Sequence, residues 1–401
     1  MQAAEKISPL RLGSAVRVLT IGLLMSGAGQ LMADQAMADQ AMADSGPKPT
    51  ADLDGQLKAL HAKSDFPGFA VAIVDREQGV VYESGFGWAD RQNRKPFTAQ
   101  TVMNIGSVSK TFIGVALMQA VENGQIDLDA PVDRYLGFSI RNPRFPDKPI
   151  TLRHLATHTS GIEDRGSIYR KAYSEGMEPS MELGEYLRQY LTPEGRWYNR
   201  RNFGKNPPGD ARDYSNIGAA LAAYTLEKAL EKPFDELTTR SILKPLGMDD
   251  SGWSYGDIEL DSHAVSYDGD DIVEPYTLVT YPDGGLRTSV SSLGRYLAAI
   301  LRGGVLGDAR ILDGASVEAM VAPQFDAQDP PEGAGDKNSG IFWSLDSSGL
   351  IGHTGGDPGI STMMAFDPES GRGWVFITNC ELNKKTGGQL REIWNLLKST
   401  P

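Results

Sequence analysis

The chain has 401 residues, enough for a large core in one big domain or two interleaved ones. Its apolar and charged fractions are those of an ordinary globular protein, while a formal net charge of −13 argues against a nucleic-acid surface. Five histidines leave little for a metal centre, the single Cys380 excludes an internal disulfide, and neither a Walker-type nor a dinucleotide glycine loop occurs.

The first residues read as an export signal. Lys6, Arg11 and Arg17 precede an apolar run over residues 18–25, too short to span a bilayer. Ala36-Met37-Ala38 and Ala41-Met42-Ala43 then offer small-residue cleavage sites within a repeated Ala-Asp-Gln-Ala-Met unit. Residues 1–43 are therefore expected to be a signal peptide and low-complexity leader. The protein is expected in the periplasm or outside the cell, with no membrane span once the signal is removed.

Structure is expected over residues 50–400. Apolar stretches at 69–75 and 80–85 flank Arg76-Glu77-Gln78-Gly79 and predict a β-hairpin. A helix buried on most sides follows, from Ser107 to Val121, stopped by Asn123-Gly124. Helical patterns then dominate: 151–157, 181–191, 217–230 and 234–243. An acidic, irregular stretch runs from 249 to 274, and a further helix from 291 to 301. Strand patterns return at 340–345, 362–366 and 373–378, and a helix over 388–398 closes the chain. The expected fold is α/β (α+β), an antiparallel sheet flanked by helices and shared by the chain's two ends. Its sheet part covers about 66–125 and 285–400, with a mainly helical insertion over about 126–284.

Chemistry concentrates at three places. In Gly106-Ser107-Val108-Ser109-Lys110, Lys110 lies one turn beyond Ser107 on the same helical face. A hydroxyl at a helix start has free backbone amides beside it. A lysine drawn into a core is desolvated, which favours its neutral form and lets it act as a base. The pattern alone is weak, since Ser241-Ile242-Leu243-Lys244 also fits, but there Pro245 marks a helix end. Tyr214-Ser215-Asn216 opens another helix. Tyr214 can exchange a proton with Ser107, and Asn216 can hold Lys110 or a substrate amide, although a helix cap with a packed tyrosine is the blander explanation. His353-Thr354-Gly355-Gly356 lets a substrate lie against strand backbone, with the Gly356 amide facing that of Ser107. A plain glycine-rich turn is the alternative there.

These three motifs, in this order, resemble those of the serine β-lactamase and penicillin-binding-protein superfamily, above all class C β-lactamases, D-alanyl-D-alanine carboxypeptidases and related esterases. Flanking runs add to the likeness, which covers roughly residues 66–378: Leu128-Asp129-Ala130-Pro131-Val132, residues 153–162 around His158-Thr159-Ser160-Gly161, and Pro245-Leu246-Gly247-Met248. The resemblance implies Ser107 as acylated nucleophile, Lys110 and Tyr214 as the proton-transfer pair, and Asn216 as a substrate contact. His353, Thr354, Gly355 and Gly356 become the substrate-binding strand edge. No cofactor or metal is implied. The expected activity is hydrolysis of an ester or amide: a D-alanyl peptide, D-amino acid amide, carboxylic ester or β-lactam. The expected partners are a small-molecule or peptide substrate and no nucleic acid, and the chain is expected to be a monomer.

One departure bears on substrate. β-Lactamases of this group usually carry lysine where His353 stands. Lys385-Thr386-Gly387 supplies that tripeptide only after the last expected strand, at the start of the closing helix. Efficient β-lactam turnover is therefore not the expectation. Three alternatives compete with the main reading. A catalytically silent penicillin-binding or sensing protein would have the same fold. Gly252-Trp253-Ser254-Tyr255-Gly256 matches the nucleophile elbow of α/β-hydrolases, without the strand before it or the helix after it. His154 and His158 have metalloprotease spacing, but Leu155 stands where the glutamate belongs.

Overall fold

A computed structural model describes residues 50–400. The leader expected over residues 1–43 lies outside the described residues. The first helix, α1 (Thr50–Lys63), leads into a hairpin of β1 (Gly68–Asp75) and β2 (Gly79–Asp90). The turn between them is closed by Asp75, whose carboxylate accepts from the Glu77 and Gln78 amides, and by Gly79 with φ of 82°. β2 continues five residues past its expected end. The glycines at its end mark a close approach instead of a stop: a Cβ on Gly85 would fall 2.4 Å from the Phe97 carbonyl oxygen. Short strands β3 (Lys95–Pro96) and β4 (Met103–Asn104) follow.

The buried helix is α2 (Lys110–Glu122), fed by a 3₁₀ turn over Gly106–Ser109 that carries Ser107. Its end is the expected one, with Gly124 at φ 65° donating to the Val121 carbonyl. Farther along come α3 (Leu183–Leu191) and α4 (Asn216–Leu230); every residue of α4 from Asn216 to Leu226 is buried. The chain then forms β5 (Arg287–Thr288), paired with β4, and α5 (Val290–Leu301). The remaining strands are β6 (Asn338–Ser339), β7 (Ser344–Leu345), β8 (Ile351–Asp357), β9 (Ile360–Asp367) and β10 (Arg372–Thr378), before the final helix α6 (Lys384–Lys398).

An eight-stranded antiparallel sheet, in the order β6-β7-β8-β9-β10-β1-β2-β3, joins the two ends of the chain. Strand periodicity sorts its faces. Ala70, Ala72 and Val74 of β1, with Val375 and Ile377 of β10, face the large core that includes Leu293 and Leu297 of α5. Phe69, Val71 and Ile73, with Trp374 and Phe376, face α1 and α6 through Leu57, Leu390, Ile393 and Trp394. The alternation expected of a sheet covered on both sides is thus complete. α2 belongs to the larger core, where Phe112 stacks on Tyr296 of α5 at 4.1 Å between ring centroids.

The strand expected over 340–345 is broken. Residues 340–343 leave the ladder, with Phe342 at φ 59° and Ile341 donating to the Met320 carbonyl. Ile341, Phe342 and Trp343 are all buried, so this apolar run fills the core as a bend. The bend matters for β8. β7 pairs with β8 only at Ile351 and Gly352, so residues 353–357 are laddered to β9 on one side and left open on the other.

Candidate active site

Ser107 stands at that open edge. Gly106 adopts φ of 52°, a left-handed turn that glycine makes without strain, and the following 3₁₀ turn presents Ser107 half-buried at the start of α2. Lys110 is fully buried and reaches back, so that Nζ donates to Ser107 Oγ at 3.0 Å. It also donates to Asn216 Oδ1 at 2.8 Å and to the Asp283 carbonyl oxygen. Three acceptors thus meet the three ammonium donors. Because Asn216 is the first residue of α4, the Lys110 bond also ties together the starts of the two buried helices.

Tyr214 lies over this group. Its ring centroid is 5.1 Å from Lys110 Nζ, 4.2 Å from the His158 ring and 6.2 Å from the His353 ring. The phenol oxygen is buried and has no hydrogen-bond partner among the described residues, which leaves it free to exchange a proton with a bound reactant. His158 takes a part that its sequence spacing did not suggest. Its ring supports Tyr214, and its Nδ1 accepts from the Ser215 amide at 3.3 Å, so the imidazole is held neutral beneath the phenol. Burial, helped by the charges of Arg212 and Lys110, drives its pKa well below the ordinary histidine value.

The open edge of β8 packs directly on the serine turn. A Cβ on Gly355 would lie 2.1 Å from the Ile105 carbonyl oxygen and 3.2 Å from the Ser107 amide nitrogen. One on Gly106 would lie 2.9 Å from the Gly356 amide nitrogen. Glycine is required at both positions because two backbones touch there. This contact sets the Ser107 turn against the Gly355-Gly356 backbone, the pairing of helix start and strand edge that an oxyanion hole uses. His353 is buried, its Nδ1 2.7 Å from the Thr354 carbonyl oxygen. Burial, then the Lys110 charge, lowers its pKa to about 3, so at neutral pH it offers no fixed positive charge.

Three acids surround the cluster, Asp283 buried and Asp164 and Asp357 half-buried, none of them assigned a role from the sequence. Asp164 accepts from Ser215 Oγ at 2.8 Å and from the amides of Asn216 and Ile217 at 2.7 and 3.1 Å, thereby fixing the start of α4. Burial raises its pKa in spite of these bonds. Asp357 ends β8 and accepts from Tyr173 and Asn104; burial holds it up to about 6. Asp283 accepts from Tyr169 at 3.0 Å, while its second oxygen has no hydrogen-bond partner among the described residues. Asp164 and Asp357 sit beside runs already singled out, residues 153–162 and His353-Thr354-Gly355-Gly356, while Asp283 precedes the glycine pair Gly284-Gly285. Acids so close to motif glycines were the available signal.

Asp283 gives a measurable consequence. Burial pushes its carboxyl from 3.8 up to about 7. Between those values the folded protein binds more protons than the unfolded chain, so this group's contribution to stability falls as pH rises and levels off above 7. Asp283→Asn removes that penalty. The variant should match wild type near pH 4 and exceed it by up to a few kcal/mol at pH 8. Urea unfolding at the two pH values checks this, and an unchanged difference would show that Asp283 does not titrate there.

The rival motifs separate cleanly. Ser254 caps a short turn by bonding Asp257 through both its amide and its hydroxyl, with neither the strand nor the helix of a nucleophile elbow around it. His154 closes the cap of helix Leu152–Ala156 with Thr151. Lys385 pairs with Asp65 at the start of α6, far along the chain from the β8 edge. No cluster of metal-binding side chains occurs among the described residues. A cavity of about 680 Å³ between α3 and α4, lined by Arg188, Tyr224, Glu227 and Tyr281 among others, contains none of the expected site residues.

Comparison with known proteins gives consistent results. A family model described as Beta-lactamase matches residues 53–397. Penicillin-binding protein 4* of Bacillus subtilis (strain 168) is 26% identical over 348 residues, covering 81% of this chain and 70% of that protein. Esterase EstB of Burkholderia gladioli is 32% identical over 192 residues, 46% of each chain. Among solved structures, a class C beta-lactamase superposes with a TM-score of 0.69 at 22% identity, over 87% of this chain and 95% of that one. That last likeness concerns the fold alone.

Proposed function

The chain belongs to the beta-lactamase family, and from that premise we propose that it is an exported, monomeric serine hydrolase that forms an acyl-enzyme on Ser107. The single observation that carries the reading is Lys110: a fully buried lysine whose Nζ meets Ser107 Oγ, with Asn216 and the Asp283 carbonyl holding it in place. Ser107 Oγ attacks the carbonyl carbon of an ester or amide. Its proton passes to the Tyr214 oxygen, which accepts it as phenolate; the ring centroid is 5.1 Å from Lys110 Nζ and the oxygen has no hydrogen-bond partner among the described residues. The tetrahedral oxyanion takes hydrogen bonds from the Ser107 and Gly356 amides. Tyr214 then returns the proton to the leaving group, the C–O or C–N bond breaks, and water clears the acyl-enzyme by the same steps in reverse order.

Within that class, carboxylic esters, which need carry no carboxylate beside the scissile bond, fit better than β-lactams. His353 is neutral and buried, so the β8 edge lacks the fixed cation that would grip a lactam carboxylate at that position.

The test is intact-mass detection of acyl adducts across p-nitrophenyl esters, D-alanyl peptides, D-amino acid amides and nitrocefin. The expected result is a transient adduct on wild type that Ser107→Ala does not form, with p-nitrophenyl esters turned over faster than nitrocefin. A permanent one-to-one adduct with no turnover would instead mark a sensing protein. An adduct that survives Ser107→Ala would move the nucleophile elsewhere.

A further inference from the structure

The oxyanion site needs two amides from distant parts of the chain, one in the turn before α2 and one at the end of β8. Van der Waals contact between glycines brings them close but does not fix their angle, because glycine backbone rotates at little cost. A directional tie is required if the donors are to be preorganised.

Asn104 has the geometry of such a tie. It is buried on β4, two residues before Gly106. Its Oδ1 accepts from the Gly106 amide at 2.6 Å, which sets the Ile105–Gly106 peptide plane, one before the plane that carries the Ser107 amide. Its Nδ2 donates to Asp357 Oδ2 at 3.2 Å, and Asp357 immediately follows Gly356. One carboxamide therefore grips the neighbour of each oxyanion donor. The far end is itself held. Asp357 Oδ1 accepts from Tyr173, and Tyr276, 3.4 Å from Asn104 Nδ2, donates to the Pro358 carbonyl at 3.3 Å. β4 is anchored in turn by its ladder to β5, with Asn104 opposite Arg287. Asn104 bonds the neighbours of the two donors and neither donor itself, so its effect on chemistry is indirect.

We propose that Asn104, acting through Gly106 and Asp357, is a positioning residue that holds the Ser107 and Gly356 amides in register as one oxyanion hole. The role rests on the reading of Ser107 as nucleophile. An asparagine is suited to it because one end accepts and the other donates, which matches a backbone amide on one side and a carboxylate on the other. Aspartate at the same position would keep the Gly106 bond and set two carboxylates against each other at Asp357.

That asymmetry supplies the test. Asn104→Ala and Asn104→Asp should each lower kcat on a p-nitrophenyl ester by about 10- to 100-fold with KM within about threefold, somewhat less than the loss of an oxyanion donor itself. Affinity for phenylboronic acid, whose serine adduct places an oxygen in the hole, should fall in parallel. The double variant Asn104→Asp with Asp357→Asn reverses donor and acceptor and should recover a large part of what Asn104→Asp loses, a coupling that damage to folding alone does not produce. Amide resonances of protein labelled with nitrogen-15 serine and glycine read the positions directly: those of Ser107 and Gly356 should both move in Asn104→Ala. Unmoved amides, or a double variant no better than Asn104→Asp alone, overturn the positioning role. If the amides move while Ser107→Ala retains full ester turnover, the nucleophile assignment fails, and the catalytic part of the proposal with it.

Discussion

Lys110→Met is expected to lower kcat/KM on p-nitrophenyl esters by about a thousandfold or more, close to the level reached by Ser107→Ala, and combining the two should cost little further. Groups that act as one catalytic unit fail together, so the losses do not add. Methionine keeps much of the side-chain volume and removes the charge and all three donors. It leaves Ser107 Oγ without its lysine partner, and Asn216 Oδ1 and the Asp283 carbonyl unpaired. Each orphaned acceptor costs about 1–3 kcal/mol, so a lower unfolding temperature should accompany the lost activity. Steady-state kinetics on samples shown to be folded by circular dichroism decide the matter. Near-normal turnover in Lys110→Met would remove the lysine from the mechanism.

The second large effect is expected at Asp164, whose carboxylate oxygens are both engaged by the start of α4. Asp164→Ala should destabilise the protein by about 3 kcal/mol or more, read from urea unfolding at pH 7, because it strands the Ser215 hydroxyl and the Asn216 and Ile217 amides inside the fold. Burial of the carboxylate works in the opposite direction, since it raises the pKa of Asp164 and makes the ionised form costly. Asp164→Asn separates the two contributions: it keeps an acceptor and drops the charge, and should lose much less. Activity should fall in both variants, because Asn216 is the residue that Asp164 sets and Lys110 grips. A wild-type unfolding midpoint in Asp164→Ala would mean that water satisfies those donors and that α4 needs no cap.

Local pattern alone was sufficient for much of this protein. The apolar runs of β1, β9 and β10 marked strands, and the fold class follows from their placement at the two ends of the chain. The end of α2 was legible because Gly124 has no competitor for a left-handed stop. The pairing of Ser107 with Lys110 was legible because three residues span one helical turn. Composition was a poor guide at residues 340–345, where an apolar run became a bend, and just beyond Gly85, where the strand runs on to Asp90. In both places a contact with a distant backbone decided the outcome.

Only the tertiary structure could bring Asn216, Tyr214 and His158 to Lys110, since spacing along a chain carries no information about which helix starts face each other. The same holds for Asp164, Asp283 and Asp357. A carboxylate in sequence looks solvated, and only burial reveals that it holds a helix start or a strand end in place. The charge of His353 is the clearest case: its identity was readable, but its neutrality depends on how much water the fold removes and on the Lys110 ammonium set nearby. Sequence specifies which groups can react; packing sets their distances and their dielectric surroundings, and these determine which of them do.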